Sequence, residues 1–358
     1  MKTLFTFPVV LLLFLVSWFP QNLQAQDPHF SQFYAAPVQM NPALTGVFSG
    51  EYRFIANYRT QNYAILGNQA YRTLAASFEY RRKSGRDDYY SVGLAAMRDE
   101  VGVSNFQRNK AVISGSYLKN LGRGRKRGSQ HFLVGGAQVG VGQWSMDWGD
   151  LWFTEQFGDL GGGELGLDLD ADNGESFDGP LRTDMFLDAN AGLLYYYVHD
   201  EDNSFYFGGA FHHLLEPNIS FIPGVTVPLQ RRWVGQAGGQ IGVTRELGLL
   251  PALAVMGQGK SMMVTGGLSL RYNNRDWREV AIRAGVWGRL ANQLEQGIGS
   301  DAVMVSMILE MERLQFGMSY DITVSGLNEA NNARGAFEMS VIYVHPSKER
   351  FKVICPKF

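Results

Sequence analysis

Arg313-Leu314-Gln315-Phe316-Gly317-Met318-Ser319-Tyr320-Asp321-Ile322-Thr323 alternates without a break. Successive side chains of a strand point to opposite faces. Leu314, Phe316, Met318, Tyr320 and Ile322 therefore share one face, and Arg313, Gln315, Gly317, Ser319, Asp321 and Thr323 share the other. A strand of a soluble sandwich also alternates. Length separates the two cases: roughly 9–11 residues cross a bilayer when the strand is tilted, whereas soluble strands average about 5–6.

The same dyad returns along the chain. Leu74, Ala76, Phe78 and Tyr80 oppose Thr73, Ala75, Ser77 and Glu79. Ala189, Ala191, Leu193, Tyr195 and Tyr197 share a face, as do Phe337, Met339, Val341 and Tyr343. About 14 such segments are legible, an even number of the kind that bacterial outer-membrane barrels use. They centre on Phe54, Leu74, Leu94, Ile113, Val134, Leu193, Phe207, Gln236, Leu253, Val264, Ile282, Val305, Phe316 and Phe337. The expected fold is all-β: a transmembrane antiparallel β-barrel of about 14 strands with both termini in the periplasm. Connections after odd strands should be the longer, extracellular ones, and Trp144–Thr183 and Leu214–Pro228 fit this. Gly257–Lys260, which is short, and the basic Lys119–Gln130 are the exceptions.

Composition agrees. The 358 residues include 42 Gly, and 13% are aromatic. Beyond the N-terminus no run of 18 apolar residues exists, which excludes a bundle of membrane helices. A formal charge of −2 and no large basic patch argue against nucleic acid as a partner. A single cysteine, Cys355, excludes an internal disulfide.

Residues 1–25 read as a signal peptide. Lys2 precedes an apolar stretch from Phe5 to Phe19, and Ala25 offers a small residue at the cut. Residues 26–50 hold Pro28, Pro37 and Pro42 and show no clean period. Prolines exclude a central strand, and the segment is too apolar for a free linker. It should pack in the lumen or across the periplasmic mouth. The barrel then spans residues 51–345, and a basic periplasmic tail, 346–358, carries Lys348, Arg350, Lys352 and Lys357.

Arg53, Arg59, Glu79, Arg283, Arg289, Arg313, Asp321 and Glu338 fall on lumenal faces. Mixed charge across a narrow lumen pairs and closes it, so a plugged barrel is expected rather than a wide aqueous pore. Cofactors are not expected, with one exception. In the acidic loop, Asp168, Asp170, Asp172 and Glu175 space oxygen ligands for calcium. The match to a calcium loop is partial, because Asn173 stands where Gly is needed and Gly179 where the closing Glu is. The ordinary alternative is a solvated acidic surface. His212 and His213 are adjacent, and within one strand they would face opposite ways. No nucleophile–His–acid constellation is singled out, so no enzyme is expected.

The two ends carry a resemblance. Phe30-Ser31-Gln32 within Gln26–Tyr34, then Asn41-Pro42, Arg59, Tyr320-Asp321, Gly335 with Phe337-Glu338, and the closing Cys355-Pro356-Lys357-Phe358 resemble the PorP/SprF family of outer-membrane proteins. The resemblance implies type IX protein secretion and gliding motility. It implies as partners other secretion components, the lipid bilayer, and a secreted surface adhesin whose C-terminal domain is docked or anchored. Two alternatives stay open: a core component needed by all cargo, and a FadL-like transporter of small molecules.

Overall fold

The computed structural model describes residues 27–85, 87–123, 129–147, 151–159, 165–168, 171, 181–200, 202–274, 280–293 and 297–346. Seventeen strands are numbered in chain order. They are β1 (Tyr52–Gln61), β2 (Tyr71–Ser84), β3 (Asp88–Val101), β4 (Phe106–Arg123), β5 (Gln130–Met146), and the short β6 (Phe157–Asp159), β7 (Leu165–Leu167) and β8 (Leu181–Arg182). After these come β9 (Phe186–Val198), β10 (Ser204–His212), β11 (Arg232–Gly242), β12 (Leu247–Gln258), β13 (Ser261–Tyr272), β14 (Ala281–Gln293), β15 (Gly297–Glu310), β16 (Leu314–Thr323) and β17 (Arg334–His345).

Fourteen of them make one closed antiparallel barrel. β1 pairs with β2 on one side and with β17 on the other, Tyr52 facing both Tyr80 and His345, so the sheet has no free edge. In hydrocarbon no water pairs with edge groups, which makes closure obligatory. Each of the fourteen predicted centres lies within one barrel strand. The remaining three short strands belong to the connection between β5 and β9.

The two rims differ. Connections 62–70, 147–185, 213–231 and 324–333 share one rim, here the long-loop end. The opposite, short-turn end carries 85–87, 199–203, 243–246 and 311–313, and both β1 and β17 meet it.

Burial is inside out. Leu94, Ile113, Val139 and Leu193 are all more than half exposed on the outer face, while Glu79 and Glu338 are 0% exposed on the inner face. An outward apolar band with a polar interior is the pattern of a membrane barrel. In β16, Phe316, Met318 and Tyr320 face outward while Ser319, Asp321 and Thr323 are buried.

Two expectations need correction. Arg313 is not lumenal. It lies in the turn between β15 and β16, where it is exposed beside Glu312. His212 and His213 do not face opposite ways. β10 ends at His212, and His213 takes a positive φ of 59° that turns its ring inward, so both are buried.

The outer face yields a first prediction. Ile113→Arg sets a cation against lipid and should cost about 2–4 kcal/mol if it lies at the bilayer midplane. Urea unfolding of the barrel in lipid vesicles measures it.

Candidate functional site

The lumen is filled by residues 27–50. Prolines and short helical turns let this segment satisfy its own backbone where no strand partner exists. Phe33–Ala35 and Pro42–Leu44 are 3-10 turns, and Pro37–Met40 is one helical turn. Pro37 and Pro42 open their turns, where a missing N–H costs nothing. Asn41 caps the last turn by accepting from the Ala43 amide (2.8 Å), and its Nδ2 donates to the carbonyls of Leu193 (3.2 Å) and Gly209 (3.1 Å).

One sector of the inner wall is apolar. Leu118, Phe132, Val134, Leu194, Tyr196 and Tyr206 pack there against Phe33, Met40, Ala43, Leu44 and Val47 of the plug. This contact makes that sector of the lumen a hydrophobic core and explains why the segment reads as too apolar for a linker. Glycines let the two backbones approach: a Cβ on Gly136 would overlap the Pro42 carbonyl, and one on Gly192 would overlap the Asn41 side chain.

The opposite sector is polar and holds the motif residues. Glu338 on β17 accepts the amides of Ser31 (2.8 Å) and Gln32 (3.0 Å), one on each carboxylate oxygen. The Ser31 hydroxyl donates to Asp321 on β16 (2.8 Å). Arg59 on β1 bridges both acids, at 3.1 Å from Asp321 and 3.2 Å from Glu338. Arg289 on β14 adds a second guanidinium, 3.0 Å from Asp321. Gln32 exchanges hydrogen bonds with Ser319 and Ser340. Arg59, Asp321 and Glu338 are each at most 2% exposed. Eight side chains from the plug and four strands thus form one buried knot.

The rest of the plug is tied at intervals. Gln138 donates to Val38 O (2.8 Å), and Asn57 donates to Ala35 O (3.1 Å). Glu79 accepts the Gly46 amide (2.8 Å) while paired with Arg53 (2.8 Å). Arg81 donates to the Phe48 carbonyl at the short-turn end. At the long-loop end the Asp27 carboxylate meets His213 Nε2 (2.6 Å) and Arg232 (3.3 Å).

Ser31, Gln32, Asn41, Pro42, Arg59, Asp321 and Glu338 therefore all lie in or against the plug. Phe30 packs on Ala36 and Ala75. Gly335 lies where a Cβ would crowd the Asp321 carbonyl. Tyr320 and Phe337 stand apart: they are neighbours across β16 and β17, Tyr320 on the outer face. Cys355, Pro356 and Phe358 lie outside the described residues. So do Asp170, Asp172 and Glu175 of the calcium reading. Asp168 is exposed, and its amide donates to Gln156 O (2.8 Å). Among the described residues no group of three or more His, Cys, Asp or Glu could hold a metal. The contacts of Asp27 and His213 were not foreseen. Only the positive φ at His213 creates them, and an adjacent His pair carries no sign of that.

The Asp27–His213 contact is titratable. Burial alone would raise the Asp27 carboxyl above its ordinary value of 3.8, but His213 and Arg232 outweigh this and hold it well below. Burial alone would lower His213 below 6.5, but the Asp27 charge and the hydrogen bonds that the ring donates to Asp188 and Asp27 outweigh this and raise it, with Lys110 opposing. The lowered acid contributes stability above 3.8 that is lost as pH falls through its folded value. The raised base contributes below 6.5 and is lost as pH rises through its folded value. Protection of the Asp27 and His29 amides against hydrogen exchange, corrected for intrinsic rate, should therefore be highest between those limits and fall on either side.

Substitution tests the knot. Glu338→Ala leaves Arg59 without one buried partner and two plug amides without an acceptor. It should cost about 3–5 kcal/mol and expose residues 27–50 to protease. Arg98→Ala breaks only the exposed Arg98–Glu100 pair and should cost at most about 1 kcal/mol. Urea midpoints and limited proteolysis of the folded barrel measure both.

Among solved structures the chain resembles the CymD monoaromatic hydrocarbon channel, at 13% identity and TM-score 0.49, covering 88% of this chain and 94% of that one. It also resembles the Pseudomonas putida toluene transporter TodX, at 10% identity and TM-score 0.45, covering 90% and 99%. A mutant of the Rh. blastica porin is similar at 8% identity and TM-score 0.31, covering 82% and 98%. No curated protein matches the chain at a significant level. Residues 22–343 match the family described as type IX secretion system membrane protein PorP/SprF. With nearly the whole barrel matched, and with a lipid-facing exterior around a plugged polar lumen, the chain belongs to the PorP/SprF family and is an outer-membrane β-barrel of the type IX secretion system.

Proposed function

We propose that this barrel is a closed platform that docks the C-terminal domain of a secreted surface adhesin. Its long-loop end faces outward, and the ends of β1 and β17 face the periplasm. The observation that carries this reading is the filled lumen. Residues 27–50 run from His213 at one end to the neighbourhood of Arg81 and His345 at the other, tied to the wall by the ion pairs of Asp27 and by hydrogen bonds further along. A passage blocked over its whole length suits docking better than transport.

The long-loop end offers a surface for such a partner. Tyr63 and Trp152 are each 61% exposed, and Leu215 is 59% exposed. The connection between β10 and β11 is braced from within. The Asn218 side chain accepts from Ser220 (3.1 Å) and Val227 (2.8 Å) and donates to the Val225 carbonyl (3.1 Å). A loop already ordered loses less entropy on binding. The family's place in type IX secretion is what points to a secreted partner.

Gene deletion tests the reading. Loss of display of one adhesin supports it, loss of all type IX cargo favours a core component, and unchanged display overturns it. In planar bilayers the purified barrel should show no stable conductance steps, and a steady open channel would count for a transporter.

A further inference from the structure

Asp27 lies at the long-loop end of the lumen, and its carboxylate rests in a site that the wall builds without its help. His213 Nε2 is 2.6 Å away and Arg232 is 3.3 Å away. The imidazole is aimed by Asp188, which takes its Nδ1 at 2.8 Å, while Asn190 accepts the His213 amide at 3.0 Å. Asp188 in turn is held by Lys110 at 2.7 Å. Arg232 donates to the Gln39 carbonyl at 3.1 Å. His213 is therefore fixed by groups of the barrel wall and Arg232 by a backbone carbonyl further along the plug, and both stay in place if Asp27 leaves.

A cavity of about 70 Å³ opens beside this anion position. Val38, Met97, Val112, Trp144 and Phe186 give it apolar walls, and Asp27 and Pro28 close one side. In this measure one water needs roughly 10–15 Å³, so the space is more than a packing flaw. It widens if Asp27 and Pro28 withdraw. Asp188 Oδ1 and Arg232 Nε are buried there without a hydrogen-bond partner.

Charge selects the ligand class. Asp188 faces both Lys110 and His213, whereas among the described residues Arg232 is ion-paired with Asp27 alone. Departure of Asp27 would leave the buried Arg232 guanidinium without an acid and His213 with one of its two, which is strongly unfavourable. A neutral apolar molecule cannot replace it, whereas an anion with the same carboxylate can.

We propose that His213 and Arg232 form a carboxylate-binding site which Asp27 fills in the resting barrel. A ligand carrying a carboxylate on an apolar body displaces Asp27 and seats that body in the cavity. Two sources share this chemistry: a free small acid, and the C-terminal carboxylate of a polypeptide that reaches the long-loop end. The site is independent of the adhesin reading. Adhesin display can be lost on deletion whether or not carboxylates bind, and carboxylate binding is measured on the purified barrel alone.

Isothermal titration of the folded full-length barrel in detergent tests this, with heat-modifiable electrophoretic migration confirming the fold of each variant. The probes are 3-phenylpropionate for a free acid and N-acetylphenylalanine for a chain end, each beside its own amide. Asp27→Asn removes the tethered competitor and should raise the affinity for an acid by about tenfold or more. Arg232→Gln in the same background should abolish binding. A gain confined to 3-phenylpropionate assigns the site to small acids, a gain confined to N-acetylphenylalanine assigns it to chain ends, and a gain for both supports the site for either source. Amides that bind as well as acids, an affinity unchanged by Asp27→Asn, or no binding of either acid to that variant up to millimolar concentration would overturn the proposal.

Discussion

The ion-paired knot of Arg59, Arg289, Asp321 and Glu338 around Ser31 and Gln32 is the contact on which the interior depends. Both acids are almost wholly buried, and a buried carboxylate is tolerated only when paired and hydrogen-bonded. The strands supply the charges, and the plug supplies two amides and a hydroxyl that complete them. Neither part is satisfied alone. The knot also joins β1, β14, β16 and β17, so it bridges the place where the first and last strands meet.

Such a knot adds less stability than its number of contacts suggests, since desolvation offsets most of the Coulomb attraction. Its clearer effect is register. Ser31 and Gln32 can reach Glu338 with both amides in only one position along the lumen. The apolar turns from Phe33 to Val47 are then set against Leu118, Phe132, Leu194 and Tyr206. Burial of that surface drives the packing, and the polar knot selects where it happens.

The two ends of the plug are held differently. From Ser31 to Phe48 the segment is tied by backbone amides on wall carboxylates, a carbonyl on Arg81 and apolar packing. At Asp27 it is tied through a carboxylate to a histidine and an arginine, with its amide on Gln258 (2.8 Å). The Asp27 end is thus the part that an added anion can compete for while the rest stays in place. This asymmetry is compatible with a platform whose lumen never opens.

The strand pattern was fully legible because the two-residue period is a local property. Lipid on one side and a filled lumen on the other force each position to be apolar or polar, and residues such as Phe316 and Asp321 announce their faces from sequence alone. Loop lengths likewise revealed the two rims. The charges at Arg59, Glu79, Arg289 and Glu338 could be placed on the inner face by the same alternation. Arg313 failed because it lies one residue beyond its strand, where alternation no longer applies. Their partners were not legible. Ser31 and Glu338 are 307 positions apart, and only closure of β1 on β17 brings them together. His213 shows the same limit at shorter range. Its ring turns inward through one positive φ, a backbone choice made by tertiary packing, and that choice decides where Asp27 is held. The sequence by itself determined a membrane barrel with a polar interior, because alternation is read residue by residue. The tertiary structure decided what fills that interior and which charges meet, because those contacts depend on how the sheet closes.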